Sequence, residues 1–193
     1  MKAATRTRLI IAVLLSIVIG IAARAWSVAH QARASYVPAP PFTSRQSLAT
    51  LTENGVQVDL ALEQDGNGTA VLAGTYTPLD AHVHVYSKDL PRNGINGAGR
   101  PTLLELPVQP QIQSIGLLTA SQPVILDRFA TLNTAFPVYP DGPVTLRLPI
   151  ALAASGEPAS ITVQITYMAC SSTGFCLPPV ENKPLTLALP RAP

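Results

Sequence analysis

The stretch that decides the fold is Ser160-Ile-Thr-Val-Gln-Ile-Thr-Tyr167, which runs on through Met168 and Ala169 to Cys170-Ser-Ser-Thr-Gly-Phe-Cys176. Ile161, Val163, Ile165 and Tyr167 alternate with Thr162, Gln164 and Thr166, a period of two that places one set on a buried face and the other outward. Similar runs lie on both sides. Val144, Leu146, Leu148 and Ile150 alternate with Thr145 and Arg147, and Leu185, Leu187 and Leu189 close the chain. Upstream, Val58, Leu60 and Leu62 alternate with polar neighbours, Gly66-Asn67-Gly68 supplies a turn, and Thr69–Tyr76 reads as the next strand. Val83 and Val85 share one face of a strand whose other face carries His82, His84 and Tyr86, and Leu104 and Leu106 precede Pro107. No segment after residue 25 has a helical period, and no internal repeat is visible. The expectation is an all-β chain folded as an antiparallel β-sandwich or barrel.

Composition agrees with strands and turns. Charged residues make up 12 % of the 193 residues, against about 25 % in ordinary soluble domains, and there are 19 prolines. The formal charge of +2 misleads, because Lys2, Arg6, Arg8 and Arg24 lie in the first 25 positions. Without these four, nine basic residues face eleven acidic ones. No basic patch of the kind that neutralises phosphates remains, so nucleic acid is not an expected partner.

Lys2, Arg6 and Arg8 precede an apolar run from Leu9 to Ala23, and Ala23-Arg-Ala25 offers small residues at cleavage spacing. Residues 1–25 therefore read as a secretory signal peptide. The run is short of the roughly 20 residues that span a bilayer, and a retained membrane anchor is the other reading. The membrane is a partner only in that second case. Residues 26–47, with Pro38, Pro40 and Pro41, read as a Pro/Ala-rich linker, and the domain is expected over 48–190. In either case the domain lies outside the cytoplasm, in the periplasm of an exporting bacterium, where thiols can persist as disulfides.

Two stretches resist the strand reading. Lys88–Pro101, rich in glycine and with two prolines, is expected to be a long loop. Ala130–Gly142 sets Phe136 and Tyr139 among prolines and is expected to be a loop whose aromatic is tucked against the sandwich or used as a lid.

The five residues between Cys170 and Cys176 include Gly174 and suit a tight turn joining two strands, so a bond is geometrically easy. Closing so small a loop constrains the unfolded chain by only about 2.4 kcal/mol, against about 4.7 kcal/mol for a loop of around 100 residues. Extending the alternation from Ile161 puts Tyr167 and Ala169 towards the core and Cys170 on the opposite face, near the surface at a strand end. A sulfur placed there could be attacked in thiol–disulfide exchange. A plain hairpin staple fits the spacing equally.

The segment Tyr167-Met-Ala-Cys170-Ser-Ser-Thr-Gly-Phe-Cys176-Leu-Pro-Pro179 resembles the active-site segment of the N-terminal periplasmic domain of DsbD, the thiol:disulfide interchange protein. That family has a tyrosine three residues before the first cysteine, a five-residue insert ending Gly-Phe, and a proline pair after the second cysteine. The His84-Val-Tyr86 strand, Leu106-Pro107 and Leu146-Arg-Leu-Pro149 match in the same order, so the resemblance covers roughly Val56 to Leu189.

The resemblance implies an immunoglobulin-like sandwich in which Cys170 and Cys176 are a redox-active pair, cycling between dithiol and disulfide. It implies electrons arriving from a membrane-embedded donor and passing to periplasmic thioredoxin-fold proteins, among them disulfide isomerases and a cytochrome c maturation thioredoxin. The chain to Pro193 holds no multi-spanning domain, so a separate membrane electron donor is expected. A cap loop with an aromatic residue shields the disulfide in that family, and the corresponding aromatic falls near Phe136, with Tyr139 the alternative. His84 and Tyr86 fall where the family has tyrosines flanking the site, and Tyr167 and Phe175 flank the cysteines in sequence. One departure stands out. The family's cap carries acidic residues near the cysteines, whereas Leu132-Asn-Thr-Ala135 has none and the nearest acids are Asp127 and Asp141.

Which cysteine meets a partner first stays open, exposure favouring Cys170 and the resemblance Cys176. His82 and His84, two apart, could seat a metal, but only His30 remains elsewhere and a site including the cysteines would need reduced thiols. No metal is expected. Without a phosphate-binding glycine loop, a Ser-His-Asp context or paired carboxylates, no cofactor is expected either. The rival function, from a different class, is a non-catalytic immunoglobulin-like module that binds a partner protein and uses the disulfide as a staple.

Overall fold

The computed structural model describes residues 42–65, 69–129, 134–153, 160–171 and 175–189. The leader, most of the linker, the Gly66–Gly68 turn and Gly174 lie outside the described residues. β1 (Phe42–Glu53), β2 (Val56–Asp65) and β3 (Ala70–Pro78) form an antiparallel meander. The turn from β1 to β2 is Asn54-Gly55, both with positive φ (45° and 73°), as a tight hairpin of twisted strands requires. β1 begins at Phe42, ahead of the Leu48 boundary expected for the linker.

Four short strands follow: β4 (Val83–Val85), β5 (Leu103–Glu105), β6 (Ile112–Ile115) and β7 (Thr119–Ala120). β8 (Ile125–Phe129) and β9 (Thr134–Val138) pair only with each other as a two-stranded unit. β10 (Val144–Leu152) then pairs with β3 on one side and with β6 and β7 on the other. Pro149, which has no N–H to give, sits in β10 where that second side changes partner from β7 to β6. β11 (Ser160–Tyr167) lies between β13 (Val180–Ala188) and β5, and β12 (Ala169–Ser171) pairs with β4. No helix occurs among the described residues.

The two main sheets face each other across one core. Val58, Leu60, Leu72 and Leu146 come from the first sheet, and Val163, Ile165 and Leu187 from the second, all buried as their alternation predicts. Burying each such side chain contributes about 1.5–3 kcal/mol. Tyr76 and Tyr167 meet edge to face, with ring centroids 5.7 Å apart. The Tyr76 hydroxyl donates to the Leu103 carbonyl at 2.8 Å and the Tyr167 hydroxyl to the Glu53 carbonyl at 2.9 Å, each reaching the opposite sheet. Buried phenols thus stay hydrogen-bonded. On the outer face of the first sheet, Glu63 is buried between Arg45 (2.7 Å) and Arg147 (2.9 Å), and the Arg147 guanidinium stacks on Phe42. These contacts tie the early part of β1 to the sandwich.

Candidate functional site

At the end of β11 the ladder shifts register between Ile165 and Tyr167, and the chain passes into β12, which pairs with β4. In that ladder Ala169 faces Val85 and Cys170 faces His84. Directly opposed residues of an antiparallel pair project to the same side. Val85 and Ala169 therefore join the main core, while His84, Tyr86 and Cys170 share the other face. Cys170 is bonded to Cys176, with Cα atoms 4.0 Å apart. The hairpin is closed by Ser171 N–H donating to the Phe175 carbonyl and Leu177 N–H to the Ala169 carbonyl, at 2.7 and 2.9 Å.

The expectation that Cys170 lies near the surface is corrected. It is 1 % exposed, in a second apolar cluster with Tyr86, Leu90, Phe136 and Val138. The alternation put it on the right face; the error lay in taking that face to be open. The β8–β9 hairpin covers it, and its second strand, β9, lies within the Ala130–Gly142 stretch expected to be a loop, residues 130–133 being outside the described set. Backbone bonds fasten the hairpin to β4: Ser87 N–H to the Pro137 carbonyl (2.9 Å) and Tyr139 N–H to the Val85 carbonyl (3.0 Å).

Of the two cap aromatics, Phe136 packs in the cluster with Cys170, its ring edge-to-face with Tyr86 at 5.7 Å. Tyr139 points the other way into the main core, and its hydroxyl accepts from the Lys88 N–H at 3.1 Å. Strand parity explains the difference, since Phe136 and Val138 share a face of β9 and position 139 alternates to the other. Tyr167 is likewise in the main core rather than at the sulfurs.

The Tyr86 hydroxyl lies 3.2 Å from Cys170 Sγ, and with the sulfur in a disulfide the hydroxyl is the donor. Burial, with Asp127 nearby adding to it, pushes the Tyr86 phenol up to about 12, so it keeps its proton at any physiological pH. A wall of the site comes from the glycine-rich loop. Leu90 packs against Cys170, and Gly99, at φ 79°, passes so close that a Cβ there would sit 3.0 Å from the Tyr86 ring. Thr102 Oγ1 donates to the Tyr86 carbonyl at 2.6 Å. The sequence marked this loop only as a loop, although an apolar Leu90 within it was a usable signal.

His84 is 2 % exposed and brings two carboxylates to the site: Asp141 Oδ1 is 3.3 Å from Nδ1 and Asp127 Oδ2 is 4.0 Å from Nε2. His82 lies in the preceding turn, exposed, its backbone N–H donating to Asp80. Among the described residues no group of three or more His, Cys, Asp or Glu is arranged to hold a metal. Cys176 is partly buried at the edge of the cluster, and its neighbour Phe175 is 64 % exposed. The two sulfurs are thus unequal, one sealed beneath Phe136 and the other at the rim.

The family model for the N-terminal region of the thiol:disulfide interchange protein DsbD matches residues 56–188. The chain belongs to the DsbD N-terminal domain family. Its sandwich is the immunoglobulin-like one of that family, and the family's general role is thiol–disulfide interchange. Among solved structures, the chain is similar to the crystal structure of the N-terminal periplasmic domain of ScsB from Proteus mirabilis, with 13 % identity and a TM-score of 0.45. The match covers 76 % of this chain and 51 % of that one, so the chain spans about half the length of that relative. No curated protein matches the chain. No helix among the described residues of this DsbD-type domain is long and apolar enough to cross a membrane.

Proposed function

We propose that the Cys170–Cys176 pair of this DsbD-type domain is redox-active and relays two electrons at a time to thioredoxin-fold proteins in the periplasm, replenished by a membrane-embedded dithiol donor. The observation that carries this reading is the inequality of the sulfurs under a separable cover. Cys170 is buried beneath Phe136 and held by the Tyr86 hydroxyl, while Cys176 sits at the rim beside exposed Phe175. A staple needs no such arrangement, whereas exchange needs one reachable sulfur and one that returns to close the ring.

Exchange runs in two displacements. In the reduced domain the Cys176 thiolate attacks a partner disulfide, forming a mixed disulfide and releasing the partner's other sulfur as a thiolate, which takes a proton. Cys170 then attacks Cys176 Sγ, the intermolecular bond breaks, and the second partner sulfur leaves with its electron pair. The partner gains two electrons and two protons, and the domain returns to its disulfide. Access to Cys170 requires the β8–β9 hairpin to move, and that hairpin is attached to β4 through a few backbone bonds.

Trapping tests the reading. Cys170→Ser leaves Cys176 able to attack but removes the group that resolves, so mixed disulfides with thioredoxin-fold proteins accumulate in periplasmic extracts. Cys176→Ser yields few, its remaining sulfur being covered. Failure of both variants to form adducts would remove the exchange reading and leave a protein-binding module with a hairpin staple.

A further inference from the structure

We infer that Arg100 is a positioning residue of the redox site, one that fixes Gly99 against the Tyr86 ring and so keeps the Tyr86 hydroxyl on Cys170 Sγ. The inference rests on the redox reading above and concerns reduction of the Cys170–Cys176 bond.

Asn93-Gly-Ile-Asn-Gly-Ala-Gly-Arg100 carries three glycines, and so flexible a stretch needs outside contacts to hold one shape. Its tip is fixed by its own backbone. Ile95 N–H donates to the Ala98 carbonyl at 2.9 Å and Ala98 N–H to the Ile95 carbonyl at 3.0 Å, around Asn96-Gly97 at positive φ (53° and 81°). Past Ala98 the arginine takes over. Arg100 Nη1 donates to the carbonyls of Gly99 (2.7 Å) and Gly97 (3.1 Å), while Nε donates to Glu181 Oε1 on β13. One planar guanidinium thus ties the backbone of the loop to the second sheet, with donors arranged in a rigid fork.

The residue so held touches the site. Gly99 is left-handed at φ 79°, and a Cβ there would stand 3.0 Å from Tyr86 Cε1 and 3.1 Å from Cζ, the atom that bears the hydroxyl. The Gly99 main chain is therefore packed on the hydroxyl end of the ring. Phe136 meets the same ring edge to face, but Phe136 belongs to the cap. Gly99, Arg100 and Glu181 lie outside β8 and β9, so their support for the ring does not depend on where the cap is.

Placement of the hydroxyl matters because the sulfur it touches is the one that leaves. A thiolate of a dithiol attacks Cys176 Sγ at the rim, a bond forms between them, and the Cys170–Cys176 bond breaks with its electron pair going to Cys170. The second sulfur of the dithiol, having lost its proton, then displaces Cys176. The dithiol departs as a disulfide, and its two electrons and two protons end on Cys170 and Cys176. As charge builds on Cys170, the 3.2 Å contact from the Tyr86 hydroxyl becomes a bond to an anion, roughly twice as strong as one to a neutral acceptor. It therefore favours the transition state over the ground state, and a ring free to swing forfeits part of that gain.

The test follows reduction of the folded full chain by dithiothreitol in the parent, Arg100→Gln, Tyr86→Phe and the double variant. Arg100→Gln should slow reduction about threefold, less than loss of the hydroxyl itself, and leave the denaturant midpoint nearly unchanged, because ion pairs near the surface add little to stability. In the Tyr86→Phe background the same substitution should leave the rate within about 1.5-fold, there being no hydroxyl left to place. An unchanged rate in Arg100→Gln would overturn the inference. So would a threefold loss that persists in Tyr86→Phe, which marks a merely structural role. Should Arg100→Gln not fold, Glu181→Gln, at a half-exposed position, takes its place in the same cycle. A slowing of about twofold that vanishes in Tyr86→Phe is then expected, and no slowing, or one that persists, would overturn the inference. A parent disulfide that dithiothreitol reduces only as the domain unfolds would sink the redox reading itself.

Discussion

The main core and the small cluster around Cys170 are built differently, although both are apolar and both exclude water. The core is contributed by long strands, β2, β3, β10, β11 and β13, whose ladders run for most of their length. The cluster is contributed by three-residue strands β4 and β12, one wall of a glycine-rich loop, and a hairpin belonging to neither main sheet. The hairpin meets β4 through a single bridge, Tyr86 to Val138, and neighbouring backbone bonds. The proposed function takes burial of Cys170 to be local, opened by movement of one hairpin, whereas burial in the core is reached only by unfolding.

The comparison breaks most visibly in the core. Leu72→Ala should destabilise the domain by about 2–5 kcal/mol in denaturant unfolding, with no change in how fast a small thiol reduces the folded protein. A comparable gain in reduction rate would mean that the two regions open together.

Alkali comes next. Burial is the first cause raising the phenols of Tyr86, Tyr139 and Tyr167 to about 12, and that of Tyr76 still further. Because the folded state holds these protons more tightly than the unfolded chain, their stabilisation is complete below about pH 10 and drains away as pH rises towards 12. Unfolding midpoints should therefore be level from neutral pH to about 9 and fall steeply above 10. Three of the four tyrosines lie in the core, so Tyr86→Phe should leave most of that fall in place.

Phe136→Ala should behave oppositely to Leu72→Ala. It should cost only about 1–2 kcal/mol of global stability, because the hairpin lies outside the main sheets. Reduction of Cys170–Cys176 by a small thiol should quicken about tenfold, equivalent to about 1.4 kcal/mol of cover removed. The smallest effect belongs to Tyr86→Phe, which deletes the hydroxyl and keeps the ring. Loss of about 1 kcal/mol of hydrogen bonding to sulfur should lower the rate of thiolate attack roughly fivefold, with stability nearly unchanged.

How much of this was legible in the sequence follows the same division. The alternation in Ile161–Tyr167, Val144–Ile150 and Val58–Leu62 identified the core strands and their inward residues, because long ladders obey a period of two. β1 escaped because the nearby prolines suggested a linker, although Asn54-Gly55 between two apolar stretches is a hairpin signal. The cysteine segment was read through family resemblance, and Phe136, expected from it near the disulfide, packs in the cluster with Cys170. Burial of Cys170 was not legible, because alternation assigns a side chain to a face and says nothing of what covers that face. The cover comes from β8 and β9, and the proline-broken composition of Ala130–Gly142 disguised β9. Within β9, parity alone would have separated Phe136 from Tyr139 had the strand been recognised.

The most direct measurement is the redox equilibrium of Cys170–Cys176 against a dithiol buffer, followed together with amide-exchange protection of β2, β10 and β11. A potential above about −300 mV, with core protection the same in dithiol and disulfide forms, is the predicted result. A potential well below that value, or loss of core protection on reduction, would contradict it and make the bond a structural one.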